Sequence, residues 1–559
     1  MSFKNESVVE IKSCQKCQAN FNITDKDLEF YDTVSPKFQD RKYSIPTPKL
    51  CPECRQQRRL VWRNEHNLYK RKCSSTGKDI ISIYSPDKPH EVYDQDFWWT
   101  GDWTLTLNSL EFDFDRSFFD QFYELTLTVP KRALCKTGSF NCDYANLVAS
   151  KDSYCVFNGT NSENCMYISG MSDIEYCVDA TQIRSSSYCY EGIDIVGCHG
   201  SHYLQDCLNC SDSSYLLNCV NCQSCFCVNI QNKKYCIFNK QYSREDYKTE
   251  LQKHLDAGFS RTDLYAFALD HPRQALNVIN SENASDTILN SSDIKESYDI
   301  YDAQNIAHSI NIYRAHDCMD VHVGLNNSNK LYESALINKA CSNLVFCYDC
   351  WNCCDKLMYC SECKLSKDCF GCTGLVKQYC ILNKQYTQQE YEEIVPKIID
   401  KMKQDGEWEF FPASLSPVAY NETIANEYFP LTKQEAKVQF NWSDYEAPFP
   451  KVKKTIPASK LPTSIADVPD DILNWAVLCE VTDKPFRIVK QELEFYRKHN
   501  LPIPKRHPHR RHLDRMNLKN PKKLFGRNCD KCKTKIQTAY APDRKELVYC
   551  QSCYEKEVY

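Results

Sequence analysis

Cys14, Cys17, Cys51 and Cys54 fall as two C-x-x-C pairs near the start of the chain, and Cys529, Cys532, Cys550 and Cys553 repeat the arrangement near its end. Thiolates are soft, charged ligands, and two tight C-x-x-C turns bring four of them to the corners of a tetrahedron. This spacing implies two closed, structural Zn2+ sites. Around the last quartet Ile536, Thr538, Tyr540 and Val548 alternate about the turn Ala541-Pro542-Asp543, the pattern of a ribbon hairpin. Behind the first pair, Thr24 and Asp27 form a capping box that starts a short helix.

The chain of 559 residues holds 35 cysteines, an odd count, and Met1 to Lys16 lacks the apolar core of a signal peptide. No window is apolar for long enough to span a membrane. These features predict reduced thiols in a cytoplasmic protein, some binding metal and most packing as small hydrophobes.

The two ends resemble each other. Cys14 to Ile23 matches Cys479 to Ile488, D-L-E-F-Y (27–31) matches E-L-E-F-Y (492–496), and Arg55, Arg59 and Arg71 match Arg511, Arg515 and Arg527. Cys73 aligns with Cys529, and Tyr84-x-Pro86-Asp87 with Tyr540-x-Pro542-Asp543. Each end therefore reads as two tandem ribbons. The second ribbon of the first module has Cys73, Thr76, Asp94 and Phe97 at its ligand positions and should hold no metal. The first ribbon of the last module has Cys479, Thr482, His507 and Arg510; a rescued site from Cys479, His507, His509 and His512 is the open alternative.

Between the ends, cysteines at 155, 165, 177, 189, 198, 207, 219, 227 and 236 recur at short intervals, often after Tyr, among Asn, Ser and Asp clusters. Two such steps span about 22 residues, the pattern of stacked β-rungs whose like residues form interior ladders. A second stretch repeats it through Cys318, Cys341, Cys350, Cys360, Cys369 and Cys380. Both end alike, at Tyr235 to Ser243 and Tyr379 to Thr387, and each runs into a capped helix. The clusters Cys219, Cys222, Cys225, Cys227 and Cys347, Cys350, Cys353, Cys354 read as core, since they lack the two-knuckle layout.

The expected fold is mainly β: a Cys/Tyr-rich parallel β-solenoid in two tandem halves, flanked by related double zinc-ribbon modules, with short capping helices. The expected boundaries are a ribbon module over 1–95, an aromatic docking segment over 96–134 and solenoid halves over 135–260 and 297–405. A connector over 261–296, an extended linker over 406–470 and the last ribbon module over 471–559 complete the chain.

Charge is uneven. Eight Lys/Arg face Glu65 alone between Arg55 and Lys78, and fourteen face Asp514 and Asp530 between Arg497 and Lys535, although the whole chain carries −5. Arg55, Arg58, Arg59, Arg63, Lys70 and Arg71, with Arg510, Arg511, Arg515, Lys522, Lys523 and Arg527, are candidate phosphate contacts for RNA or a ribonucleoprotein such as the ribosome. Trp62, Tyr69 and Phe525 would stack on bases. The competing reading docks these cations on the chain's own acids. No P-loop, dinucleotide fingerprint or metalloprotease motif is present. His199 and His202 near Asp194 and Asp206 are the nearest approach to a β-helix enzyme site. A non-enzymatic zinc protein is favoured, with a protein-binding scaffold as the alternative and a thiol or metal sensor as a lesser one.

Cys51-Pro-Glu-Cys-Arg55-x-x-Arg58-Arg59, preceded by C-x-x-C, Phe21-x-Ile23 and Phe30-Tyr31, resembles the small "probable zinc-ribbon" domains of bacteria. With Leu68 to Cys73, Ile81 to Asp87, Trp99 to Trp103 and the Cys550 to Tyr554 end, the whole chain is similar to an uncharacterised family of Cys-rich zinc-ribbon proteins from candidate-phyla bacteria. The resemblance implies zinc at Cys14, Cys17, Cys51 and Cys54 and supplies no mechanism.

Overall fold

A computed structural model describes residues 5–558 apart from 104–107, 171, 182–183, 194–196, 280, 282–285, 336, 338, 351 and 450–451. Asp194 and the side chains of Tyr188 and Cys189 thus lie outside the described residues. The first module runs from the hairpin Val8–Ser13 and Asn20–Thr24 through α1 (Asp25–Val34) and α2 (Pro52–Leu60). A second hairpin, Tyr69–Lys72 and Asp79–Ser82, the strand Val92–Tyr93 and α3 (Gln95–Thr100) complete it. Helix α4 (Phe118–Thr128) precedes the first coil of the solenoid, and α5 (Arg244–Asp256) follows it. Helix α6 (Arg261–Leu269) precedes the second coil, and α7 (Gln388–Asp405) follows that. The linker carries α8 (Ala425–Tyr428) and α9 (Lys433–Ala436). The last module repeats the first with α10 (Lys490–Lys498), α11 (Pro508–Met516), the hairpin Phe525–Asn528 and Lys535–Thr538, the strand Val548–Tyr549 and α12 (Gln551–Val558). The Thr24–Asp27 capping box is present, as are the caps at Ser243 and Thr387.

The middle is a parallel β-solenoid of about 18 turns. Its turn is shorter than the cysteine intervals suggest. Ser187 pairs with His199 and His202 with Ser214, and Ser213 donates its N–H to the Ser201 hydroxyl 12 residues earlier. Within each turn the chain advances in threes. Asn209, Asp212, Tyr215, Asn218, Asn221 and Ser224 all have φ near +50°, and the residue after each points inward. Cys210, Ser213, Leu216, Cys219, Cys222 and Cys225 are accordingly buried. Left-handed backbone costs an ordinary L-residue about 1–2 kcal/mol, less for Asn and Asp, which explains the Asn/Asp-rich corners. Tyr precedes Cys so often because Tyr176, Tyr235, Tyr359 and Tyr379 also stand at left-handed corners.

Close columns select small interior side chains. Cys219 Sγ lies 3.4 Å from the Leu217 carbonyl and 3.5 Å from the Cys227 carbonyl, so its one S–H is buried with an acceptor at hand. Burial pushes the Cys207, Cys219, Cys227 and Cys360 thiols well up, and Cys318 to about 12. These are protonated packing groups, as read from the sequence. Cys353 by contrast is exposed beside the buried Cys354, and Cys155 is half-buried. The second coil starts earlier than residue 297: Val278 pairs with Ile288, and Ile288, Ile300 and Ile312 stack in register. Isoleucine fills that column where cysteine fills others, so the cysteine pattern hid the first turns. Helices α5 and α7 close the coils, with Tyr247 against Tyr235 and Tyr391 against Tyr379.

The modules attach crosswise. Strand Val92–Tyr93 of the first module pairs in parallel with Lys131–Arg132, at the entrance to the first coil, while α2 docks on the second coil. Strand Val548–Tyr549 of the last module pairs with Arg273–Gln274, at the entrance to the second coil, while α11 docks on the first. The segment 96–134 packs onto the second coil, Phe118 against Tyr359 and Phe370. The linker is docked through buried Trp408, Phe410, Phe411 and Tyr420, and is broken by short helices rather than fully extended.

Candidate metal centres

All four ribbon knuckles share one backbone design. Gln18, Gly77, Asp483 and Lys533 are left-handed, and each donates its N–H to the carbonyl of the leading cysteine, Cys14, Cys73, Cys479 or Cys529. This turn brings the third residue after each leading cysteine back beside it, which is what a C-x-x-C ligand pair requires.

Two knuckles complete a tetrad. Cys14, Cys17, Cys51 and Cys54 have their sulfurs within 4.8 Å of one another, as do Cys529, Cys532, Cys550 and Cys553. Cys17 Sγ lies 3.6 Å from Cys51 Sγ, and Cys532 Sγ lies 3.7 Å from Cys550 Sγ. Sulfurs sharing a tetrahedral metal at ~2.3 Å sit ~3.8 Å apart, whereas a disulfide needs ~2.05 Å. Both quartets thus fit a four-coordinate soft-metal site. A hydrogen bond with Cys54 draws the Cys51 thiol down to about 5, and one with Thr534 draws Cys532 down to about 6. The N–H of Cys550 points at Cys529 Sγ from 3.3 Å, a donor suited to a thiolate.

Cys73 Sγ accepts N–H groups from Thr76 and Asp94, and no second thiol is offered at Thr76, Asp94 or Phe97. Cys479, buried, is likewise held near Thr482 and His507, but it joins no metal-ligand group among the described residues. The alternative set Cys479, His507, His509 and His512 is not assembled: His512 turns instead to Glu427 of α8, its Nε2 3.0 Å from Oε2. His66 Nε2 lies 3.7 Å from the other oxygen of that carboxylate, and His66, Glu427 and His512 form a third candidate group. Burial and the neighbouring His512 bring His66 down to about 3, leaving a neutral imidazole. Sequence reasoning missed His66 and Glu427, which carry no local motif.

The basic residues expected to meet phosphate are mostly turned inward, a correction to the sequence reading. Arg55 Nε and Arg59 Nη1 each lie 2.9 Å from an oxygen of Asp320, and all three side chains are at most 2 % exposed. Arg58 bridges Glu333 and Glu409 at 2.8 and 3.0 Å. Arg511 and Arg515 close on Asp179, and Arg511 also reaches Glu492 at 3.2 Å. Arg63 pairs with Glu65, Lys522 with Asp299, and Arg510 with Asp514. Arg71 donates to the carbonyls of Ser85 and His90, and its counterpart Arg527 to those of Ala541 and Glu546. Lys70 and Lys523 are exposed, Lys523 reaching Glu53 of the other module at 2.7 Å. Trp62 and Tyr69 are buried, Trp62 on Tyr348 and Tyr69 bonded to Glu422; Phe525 is half-buried. The physical reason is burial: guanidinium groups taken out of water must find carboxylates, and the coils supply Asp179, Asp320 and Glu333.

No family model matches the chain, and no curated protein matches it. Among solved structures, one described as "putative acetyltransferase from Desulfovibrio desulfuricans G20" aligns at 10 % identity over 49 % of this chain and 80 % of that one, with a TM-score of 0.11. A likeness at that score carries no argument about fold or chemistry.

Proposed function

We propose that this chain is a zinc-stapled scaffold that binds a protein partner along the polar flank of its solenoid, in a reducing compartment such as the cytoplasm. The zinc assignment draws on the sulfur spacing and on the resemblance to bacterial zinc ribbons. The observation that carries the scaffold reading is the rigid corner ladder left facing solvent. Asn209 Nδ2 donates to Asn221 Oδ1 at 3.3 Å, and Asn221 Nδ2 to Asn232 Oδ1 at 3.1 Å, and all three residues are exposed. Asn343 to Asp355 at 2.8 Å repeats this in the second coil. A ladder whose side chains are already ordered loses little entropy on binding, and its regular spacing suits an extended partner. Helices α5 and α7 close the ends, so recognition falls to the flank.

A second reading, RNA binding, is favoured by a narrower observation: Lys505, Lys523, Lys533, Lys535 and Lys545 remain exposed around the last ribbon. One experiment separates the two. The tagged chain is cross-linked and recovered with and without nuclease, alongside N209R/N221R and a charge reversal at Lys533, Lys535 and Lys545. Capture that survives nuclease and is lost in N209R/N221R supports the scaffold. Salt-dependent RNA retention lost only in the lysine variant replaces it with RNA binding.

A further inference from the structure

His66 lies just beyond α2 of the first module, Glu427 in α8 of the linker and His512 in α11 of the last module. Three segments that are remote in sequence therefore put two imidazoles and a carboxylate in one place, with all ligand atoms within 4.8 Å. The His66 and His512 rings lie 4.2 Å apart at 41°. Each carboxylate oxygen of Glu427 faces a different imidazole: Oε2 is 3.0 Å from His512 Nε2, and Oε1 is 3.7 Å from His66 Nε2. Ligand atoms that share a tetrahedral cation at ~2.0–2.1 Å sit ~3.3 Å apart, between these two distances. A hydrogen bond accounts for His512 but not for His66, which is 3.7 Å from Glu427 and 3.8 Å from Glu65 Oε2, beyond bonding range of both. The group is sheltered, its side chains 9–11 % exposed, and Phe157 of the first coil packs edge-on against His66 at 5.0 Å.

We propose that His66, Glu427 and His512 bind a third divalent cation of the zinc class, with water in the remaining position, and so pin the two ribbon modules and the linker together. Two His and one carboxylate is a borderline donor set that takes Zn2+ or Co2+, and it differs in kind from the all-sulfur quartets.

The test uses the untagged full-length chain, reduced and supplied with Zn2+ alone, then desalted and measured for zinc. The expected result is three equivalents per chain, falling to two in Glu427→Gln and in His512→Ala. Glu427→Gln keeps the size of the side chain and a hydrogen-bonding oxygen for His512, so its fold, checked by circular dichroism, should persist. Co2+ added to chain holding only its two ribbon zincs should then give weak d–d bands, saturating at one equivalent, with no thiolate charge-transfer band. Two equivalents in the wild type, or cobalt uptake unchanged in both variants, would overturn the site.

Discussion

Asp179 and Asp320 hold the same post in the two coils. Each is a fully buried residue at a left-handed corner, and each carboxylate is shared by two arginines one helical turn apart, Arg511 with Arg515 and Arg55 with Arg59. The module at one end of the chain is thereby clamped to the coil nearer the other end. Burial raises the Asp320 carboxyl, but the paired Arg55 and Arg59 outweigh it and hold it below the ordinary aspartate range.

Removing one such carboxylate takes from two buried guanidinium groups the counter-charge they share. Asp320→Asn should cost about 3–5 kcal/mol. The damage should be local to its own clamp: hydrogen exchange should rise in α1 and α2 and stay low in α10 and α11. Asp179→Asn should give the mirror result. Equal loosening of both modules in either variant would show that the clamps are not independent.

The thiols should divide into three reactivity classes. In native, metal-loaded protein an alkylating reagent should modify exposed Cys353 well before the buried interior cysteines. Chelation should release the two quartets, and the column cysteines such as Cys207, Cys219 and Cys360 should stay unreactive until the chain is denatured. Mass spectrometry of the labelled peptides reads this directly. Because Ser213 and Ser201 stand one and two turns before Cys225 in the same column, Cys225→Ser should be close to neutral, whereas Cys225→Leu should cost about 1–3 kcal/mol by overpacking.

Acid should destabilise the fold through imidazoles that are buried neutral. His90, 4 % exposed, is brought down to about 3 by burial and then by the nearby Lys131. Its unfolded value is ~6.5, so the unfolded chain binds the proton first and stability falls as pH drops below that value. By pH 5 this residue alone should withdraw about 2 kcal/mol. Urea midpoints measured from pH 7.5 to 5 should show the decline, and His90→Gln should flatten part of it. A midpoint that rises on acidification would contradict the assignment.

Much of this molecule can be read from local pattern. The eight ribbon cysteines, the duplicated modules, the helix caps and the stacked interior depend on spacing within a few tens of residues. The triplet advance was obscured because interior positions accept Cys, Ser, Leu or Ile alike: Cys210, Ser213, Leu216 and Cys219 are successive interior residues, yet only two of them are cysteines. The arginine pairs are visible as i, i+4 spacings, but nothing local says that Asp320 or Asp179 answers them. His66, Glu427 and His512 carry no signature at all, since their relation exists only once three distant segments have met.

The crossed attachment also sets an order of events during synthesis. Arg55 has to wait for Asp320, 265 residues downstream. At ~5–20 residues per second that is on the order of ten to fifty seconds. Through that interval the first ribbon module can form but not seat, and its arginine face stays open to any anionic surface near the nascent chain. The first coil waits longer still, because Arg511 and Arg515, which cover Asp179, follow it by 332 and 336 residues. A chaperone or the growing chain itself must shield that flank until those arginines emerge, and a break in the chain ahead of Arg511 would leave the first coil exposed rather than the second.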